Sequence, residues 1–344
     1  MSALAPPANP AVSEALRRLL SGASLSRLQL QQAVAALLAG EATDAQVGAF
    51  SAVLRMRRAP ETELAVLLEA LGARMERLPR PPHDLLSCGT AGSEVGDPHP
   101  LHTGTALVSA AAGLPALEVV QEGGTHGITR MALLDALGIP GSRDADALGA
   151  VLERHGVAFA PLRPLLPGLK HLTGPRAELG FPNVFQVLAT LLNPGGADTL
   201  YLGGHDAAAL EWMARLVGRF GTPRCWVVRG LDGLDALSPS GPSEVAALGP
   251  DGHVRLHTVL PEDAGLELVA PGALCGSSPV EQARALRAML AGEEGPLRTA
   301  VLLNAAGALL AAERVASLAE GATLAARAID SGAAMAKLVA LAER

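Results

Sequence analysis

"LLSCGTAGSEVGDPHPLHTGTALVSAAAGLPALEVVQEGG", residues 85–124, changes its hydrophobic period twice. The apolar run Leu85–Cys88 is short, stops at Gly89 and predicts a buried strand. "TGTALVSAAAG", residues 103–113, has helical spacing, and "ALEVVQEGG", residues 116–124, predicts a second strand running into glycines. Parallel strands cannot be joined by a tight hairpin, so strand, helix and strand in this order predict a parallel sheet in an α/β domain.

The alternation continues toward the C-terminus. "TRMALLDALG" and "DADALGAVLERHG" predict helices and "VAFAPL" a strand; after an interruption, "TLYLGG", "AALEWMARLVGRFG" and "CWVVRG" resume strand, helix and strand. The interruption, "PGLKHLTGPRAELG" followed by "NVFQVLATLLN", predicts a helical insertion. "EVAALGPDGHVRLHTVLP" predicts an antiparallel hairpin turning at Pro250-Asp251-Gly252. Helices follow in "PVEQARALRAMLAG", "LRTAVLLNAAGALLAAE" and "SLAEGATLAARAIDSGAAMAKLVALAE". Toward the N-terminus, residues 10–22, 25–40, 43–58 and 60–77 predict four short helices, the third opened by a Thr43–Gln46 capping box. Clustered proline in "LPRPPHD", residues 78–84, predicts a linker.

Composition narrows the function classes. About half of the 344 residues are apolar, enough for a large core without disulfides. Acidic residues outnumber basic ones 34 to 27, which opposes a general electrostatic grip on nucleic acid or anionic membrane, and aromatics at 2% leave little surface for stacking bases. Cys88, Cys225 and Cys275 are odd in number and widely spaced, arguing against a disulfide framework or zinc site. No long uninterrupted apolar segment is present, and the expectation is a soluble cytoplasmic protein.

Candidate chemistry lies where predicted strands meet predicted helices. In "CGTAGSEVGDPHPLHTGTA" the glycines at 89, 92 and 96 admit tight turns, and Thr103 and Thr105 are candidate caps for the next helix. One reading is a phosphate cradle; the other is an ordinary strand-to-helix turn. "VVQEGGTHGITR" supplies a second glycine-rich loop. Glu94, Asp97 and Glu122 there oppose an anion, with Arg130, His102 and His126 against them. His99, His102 and His126 lack ligand spacing and read as loop or capping histidines before they read as a metal cluster. "LRMRR", residues 54–58, complements a helix dipole, and Arg163, Lys170, His171 and Arg176 form a looser basic group on the insertion.

Four separated stretches together resemble the anthranilate phosphoribosyltransferases of glycosyltransferase family 3. They are "AFSAVLRMRRAPETELAVLLEAL", "GTAGSE", "HLTGPRAELGFPNVFQVLATLLNP" and "VLLNAAGALLAAERVASLAEGATLAARAIDSGAAMAKL". The resemblance implies a nucleoside phosphorylase/phosphoribosyltransferase-type α/β fold: a small all-helical domain (8–78 and 165–196) and a large α/β domain (83–164 and 197–344) with a mainly parallel central sheet. It further implies a homodimer through the helical domain, and phosphoribosyl transfer from phosphoribosyl pyrophosphate (PRPP), with Mg²⁺, to an aromatic amine such as anthranilate. Carried over by position, Gly89, Thr90, Gly92, Thr103 and Gly123 belong to the phosphate cradle, Arg176 meets the amine's carboxylate and Asp235 binds the metal weakly.

Several positions depart from the family's pattern. Ala91 and Ser93 stand in its first glycine motif, "PLHT" replaces N-I-S-T, and Gln121 and Glu122 replace a lysine and a histidine. In "GLDALSPSGP", residues 233–242, Asp235 keeps an acidic position while Ala236 replaces its acidic neighbour. Arg229, in "VVRGLDG", is similar to a divergent branch that binds nucleic acid. These departures define an alternative: a non-catalytic nucleic-acid- or metabolite-binding protein on the same fold.

Overall fold

A computed structural model describes residues 8–81, 84–90, 100–121, 130–141, 144–172, 184–204, 206–274 and 278–343. The chain forms two compact units, Met1–Glu76 with Arg163–Leu192, and Arg77–Leu162 with Asn193–Arg344.

The first unit is helical: α1 (Pro10–Leu20), α2 (Arg27–Ala39), α3 (Asp44–Met56) and α4 (Glu61–Gly72). Thr43 and Gln46 close the expected capping box on α3, and Ser26 with Gln29 makes an equivalent one on α2. Gln46 does more than cap. Its Oε1 accepts from Asn9 N at 2.9 Å, and its Nε2 donates to Asn9 O and Ser13 Oγ, both at 2.9 Å, tying the start of α1 to that of α3. Leu30, Leu37, Phe50, Leu54, Leu67 and Leu71 form the core. Phe185 of the returning helix α9 (Val184–Thr190) stacks on Phe50 with centroids 6.2 Å apart. In the basic run, Arg55 sits in the last turn of α3, and Arg57 pairs at 3.4 Å with the buried Glu63.

The second unit is built on β1 (Leu86–Thr90), β2 (Ala116–Val120), β3 (Val157–Pro161), β4 (Thr199–Gly203), β5 (Arg224–Gly230), β6 (Ser243–Leu248) and β7 (Val254–Val259). Their order across the sheet is β3-β2-β1-β4-β5-β6-β7. The first five are mutually parallel, and β6 and β7 are antiparallel. Strands β2, β3 and β4 are buried along their whole length, as a parallel sheet covered on both faces requires. The expected hairpin joins β6 to β7: Gly252 takes φ +76° and donates to Gly249 O at 2.9 Å.

Connecting and covering helices are α5 (Leu101–Ala111), α6 (Arg130–Ala136), α7 (Ala145–His155), a single turn α8 (Leu162–Leu165) at the unit boundary, and α10 (Ala207–Arg219). The C-terminal helices are α11 (Pro279–Leu290), α12 (Pro296–Ala311), α13 (Leu318–Asp330) and α14 (Ala333–Ala342). Helix α12 is apolar around nearly its whole circumference and runs through the interior. One local expectation is corrected. Helix α5 opens after Pro100, so Thr103 and Thr105 lie inside it and cap nothing, Pro100 itself providing no side-chain cap. With no N–H to satisfy and a restricted φ, proline starts the helix ahead of the threonines.

Candidate functional site

The sheet order reverses between β1 and β4, because the chain leaves β1 toward β2 and β3 and then returns to the other side. Ligands of open α/β sheets bind beyond the carboxyl ends of strands at such a switch point. Here β1 ends on Thr90 and β4 on Gly203, which are paired in register.

The segment between β5 and β6 lies over the end of β4. A Cβ on Gly203 would stand 1.8 Å from the carbonyl oxygen of Asp235, so only glycine permits this crossing. The segment is braced from below. Asn304 of α12 accepts from Leu237 N and donates to Leu237 O, both at 2.9 Å, and Tyr201 of β4 donates its hydroxyl to Asn304 Oδ1 at 2.9 Å. Its own polar groups close the turn: Ser238 Oγ donates to Asp232 at 2.6 Å, and Ser238 N donates to Ser243 Oγ at 2.8 Å.

This bracing fixes Asp235. Its side chain is buried; Oδ2 accepts the Thr90 hydroxyl and lies 3.8 Å from His102 Nε2, beyond hydrogen-bonding distance. Burial pushes the Asp235 carboxyl up, but the neighbouring His102 imidazole, the Thr90 hydroxyl and the Arg130 charge outweigh it and hold the group well below the usual carboxylate range. At neutral pH it is ionised.

A second buried network lies alongside. Glu118 of β2, fully buried, accepts from Thr103 Oγ1 at 2.8 Å and from Arg130 Nη1 at 2.8 Å. Leaving such a carboxylate unpaired would be costly, so Arg130 and Thr103 are held by it as firmly as they hold it. Burial and the charge of Glu118 push the Cys88 thiol far above its ordinary range, and it offers no nucleophile at neutral pH.

The sequence-derived residues are thereby sorted. Gly89 and Thr90 end β1, and Thr90 meets Asp235. Thr103 is buried and spends its hydroxyl proton on Glu118. Gly92, Gly123 and Arg176 lie outside the described residues, as do His99, His126 and both glycine loops. Arg163, Lys170 and His171 belong to the helical unit. Arg229 pairs with Glu244 at 3.2 Å, and Ala236 is 1% exposed, its methyl part of the core. Glu118, Asn304 and Tyr201 belong to the site without standing in any sequence motif. A lone glutamate inside the buried strand "ALEVV" was the available signal for Glu118. Nothing in "VLLNAAG" marks Asn304, whose partner lies far away in sequence.

Among the described residues no three His, Cys, Asp or Glu side chains gather to hold a metal unaided. Mg²⁺ keeps waters and phosphate oxygens and needs only one or two carboxylates. One immobilised, ionised carboxylate fits an ion that arrives with a phosphorylated ligand.

These features define a class: a two-unit α/β protein whose polar groups gather at a sheet switch point, in the manner of nucleotide and sugar-phosphate enzymes. The chain belongs to the glycosyl transferase family, the family's helical bundle domain matching residues 13–75 and its a/b domain residues 85–335. It is similar to the anthranilate phosphoribosyltransferase of Myxococcus xanthus, 40% identical over 336 residues that cover 96% of this chain and 98% of that protein. The crystal structure of anthranilate phosphoribosyltransferase from Thermus thermophilus superposes with a TM-score of 0.87 at 31% identity, covering 96% of this chain and 99% of that one. The Saccharomyces cerevisiae anthranilate phosphoribosyltransferase in complex with PRPP and Mg shares the fold, with a TM-score of 0.85 at 22% identity over 96% of this chain and 97% of that one.

Proposed function

We propose that the chain transfers a phosphoribosyl group from PRPP to an aromatic amine of the anthranilate type. The observation that carries this is Asp235, ionised and immobilised against Thr90 at the β1/β4 switch point, in a chain similar along almost its whole length to proteins with that activity. In the reaction the amine nitrogen bonds the ribosyl anomeric carbon as pyrophosphate leaves with the electron pair of the broken C–O bond, and the amine loses a proton to solvent. The work of the protein is positioning and charge neutralisation.

In this reading the end of β1 at Gly89 and Thr90, with Gly92 and Gly123, offers backbone amides to phosphate oxygens. Arg176 meets the carboxylate of the amine, and Thr103 acts indirectly by anchoring Glu118 and thus Arg130. Mg²⁺, when bound, neutralises pyrophosphate charge, and Asp235 is the residue that orients it. With Gln121 where the family carries a lysine, PRPP binds weakly. Calorimetric titration of PRPP with Mg²⁺ tests this: a saturable isotherm in the millimolar range or tighter supports it, and no heat of binding at millimolar PRPP rejects it.

The helical unit is the proposed homodimer interface, supported by the exposure of Leu20 (69%), Leu28 (63%) and Met56 (77%) on α1–α3. Among the described residues no helix is long and apolar enough to cross a membrane, and the cytoplasm is the proposed compartment.

A further inference from the structure

Glu118 stands in the middle of β2, level with Cys88 of β1, and is fully buried. The rest of that strand, Ala116, Leu117, Val119 and Val120, is apolar and buried. A buried carboxylate is costly to desolvate, and apolar residues in place of a buried ion pair are often at least as stabilising. Stability therefore gives no reason for a glutamate here. What it holds supplies one. Oε1 accepts from Arg130 Nη1 and Oε2 from Thr103 Oγ1, each at 2.8 Å, so the carboxylate is fixed by α5 on one side and fixes the first residue of α6 on the other.

This anchoring sets a guanidinium beside the ends of β1 and β2, with the Arg130 side chain 10% exposed. Its charge favours the ionised forms of both Asp235 and Cys88, so it acts across the carboxyl end of β1. Gln121, the residue after β2, is neutral, which leaves Arg130 as the permanent cation of a network that holds two carboxylates, Glu118 and Asp235. A guanidinium carries five donors in a planar fork that matches phosphate as well as carboxylate. We propose that Arg130, positioned by Glu118, binds the diphosphate of the ligand directly and supplies from the start of α6 the positive charge that Gln121 withholds at the end of β2. Glu118 is a positioning residue in this assignment, and Thr103 steadies it. The inference rests on the transferase reading and deepens it: the position where the family carries a lysine has lost its charge, and a residue of the next helix carries it instead.

The test is calorimetric titration of PRPP with Mg²⁺ into the full chain at fixed ionic strength. Glu118→Gln combined with Arg130→Met removes the cation without stranding a buried carboxylate, and PRPP affinity is expected to fall about 10- to 100-fold. Adding Gln121→Lys to that pair is expected to recover most of the loss. Affinity unchanged in the double variant, or a loss that Gln121→Lys does not reverse, means that the pair serves the fold alone; either result overturns the inference while leaving the transferase reading intact. Arg130→Lys keeps Glu118 paired and decides if the double variant does not fold. A point charge drawn to Glu118 then replaces the fork, and affinity is expected to fall about tenfold; unchanged affinity overturns the inference. A wild-type chain that binds no PRPP at millimolar concentration overturns both.

Discussion

Asp235 is the residue on which site and stability meet. Its carboxyl is held below the usual range in the folded chain, so its ionised form contributes stability that is complete above the unfolded carboxylate pKa of about 4 and is lost as pH falls through the lower folded value. Acid titration of unfolding should therefore show Asp235→Asn destabilised relative to the wild type at pH 7, with the gap closing below about pH 4. A gap that stays constant down to pH 2 would mean that Thr90 and His102 do not select the ionised form. Gly203 gives a steric counterpart. Gly203→Ala places a methyl 1.8 Å from the Asp235 carbonyl and must push the crossing segment away, so PRPP binding should be lost. Calorimetry on a variant that still unfolds cooperatively checks this. In the sequence Asp235 was visible as an acid without its neighbour, but its pairing with Thr90 and His102 was not, because those contacts join β1, α5 and the β5–β6 segment across long stretches of chain.

At the scale of elements, the segment over β4 is held chiefly by α12. Asn304→Ala removes two hydrogen bonds to Leu237 and the acceptor of the Tyr201 hydroxyl, leaving buried backbone groups unsatisfied. A loss of about 3 kcal/mol is expected in denaturant unfolding. Because the segment carries Asp235, ligand affinity should fall with stability. An Asn304→Ala protein of wild-type stability would show that Leu237 finds other partners. Short-range chemistry made the elements legible: the Thr43–Gln46 box, the Pro250-Asp251-Gly252 turn and the buried runs of β1–β5 depend on neighbours in sequence. Helix α5 begins ahead of the threonines that its sequence offers as caps, because threonine's capping preference competes with proline's fixed φ and Pro100 precedes them.

For the whole molecule, the strand–helix alternation sufficed to predict a parallel sheet, periodicity predicted the N-terminal helices and the helical insertion, and the resemblance joined the two into one helical unit. What the sequence left open was the sheet order β3-β2-β1-β4-β5, since periodicity says nothing of which strands become neighbours. That order places the switch point beside Thr90 and gives Asp235 its meaning. If the helical unit joins two copies, sedimentation equilibrium should give a dimer, and Leu28→Glu with Met56→Glu should give a monomer whose fold is intact. A wild-type monomer at micromolar concentration would remove that proposal. The central claim is chemical and has a direct measurement: release of pyrophosphate from PRPP on addition of anthranilate, with a divalent ion present. The account predicts release that depends on the amine and is abolished in Asp235→Ala. Binding of PRPP with no amine-dependent pyrophosphate, whichever divalent ion is supplied, would contradict it.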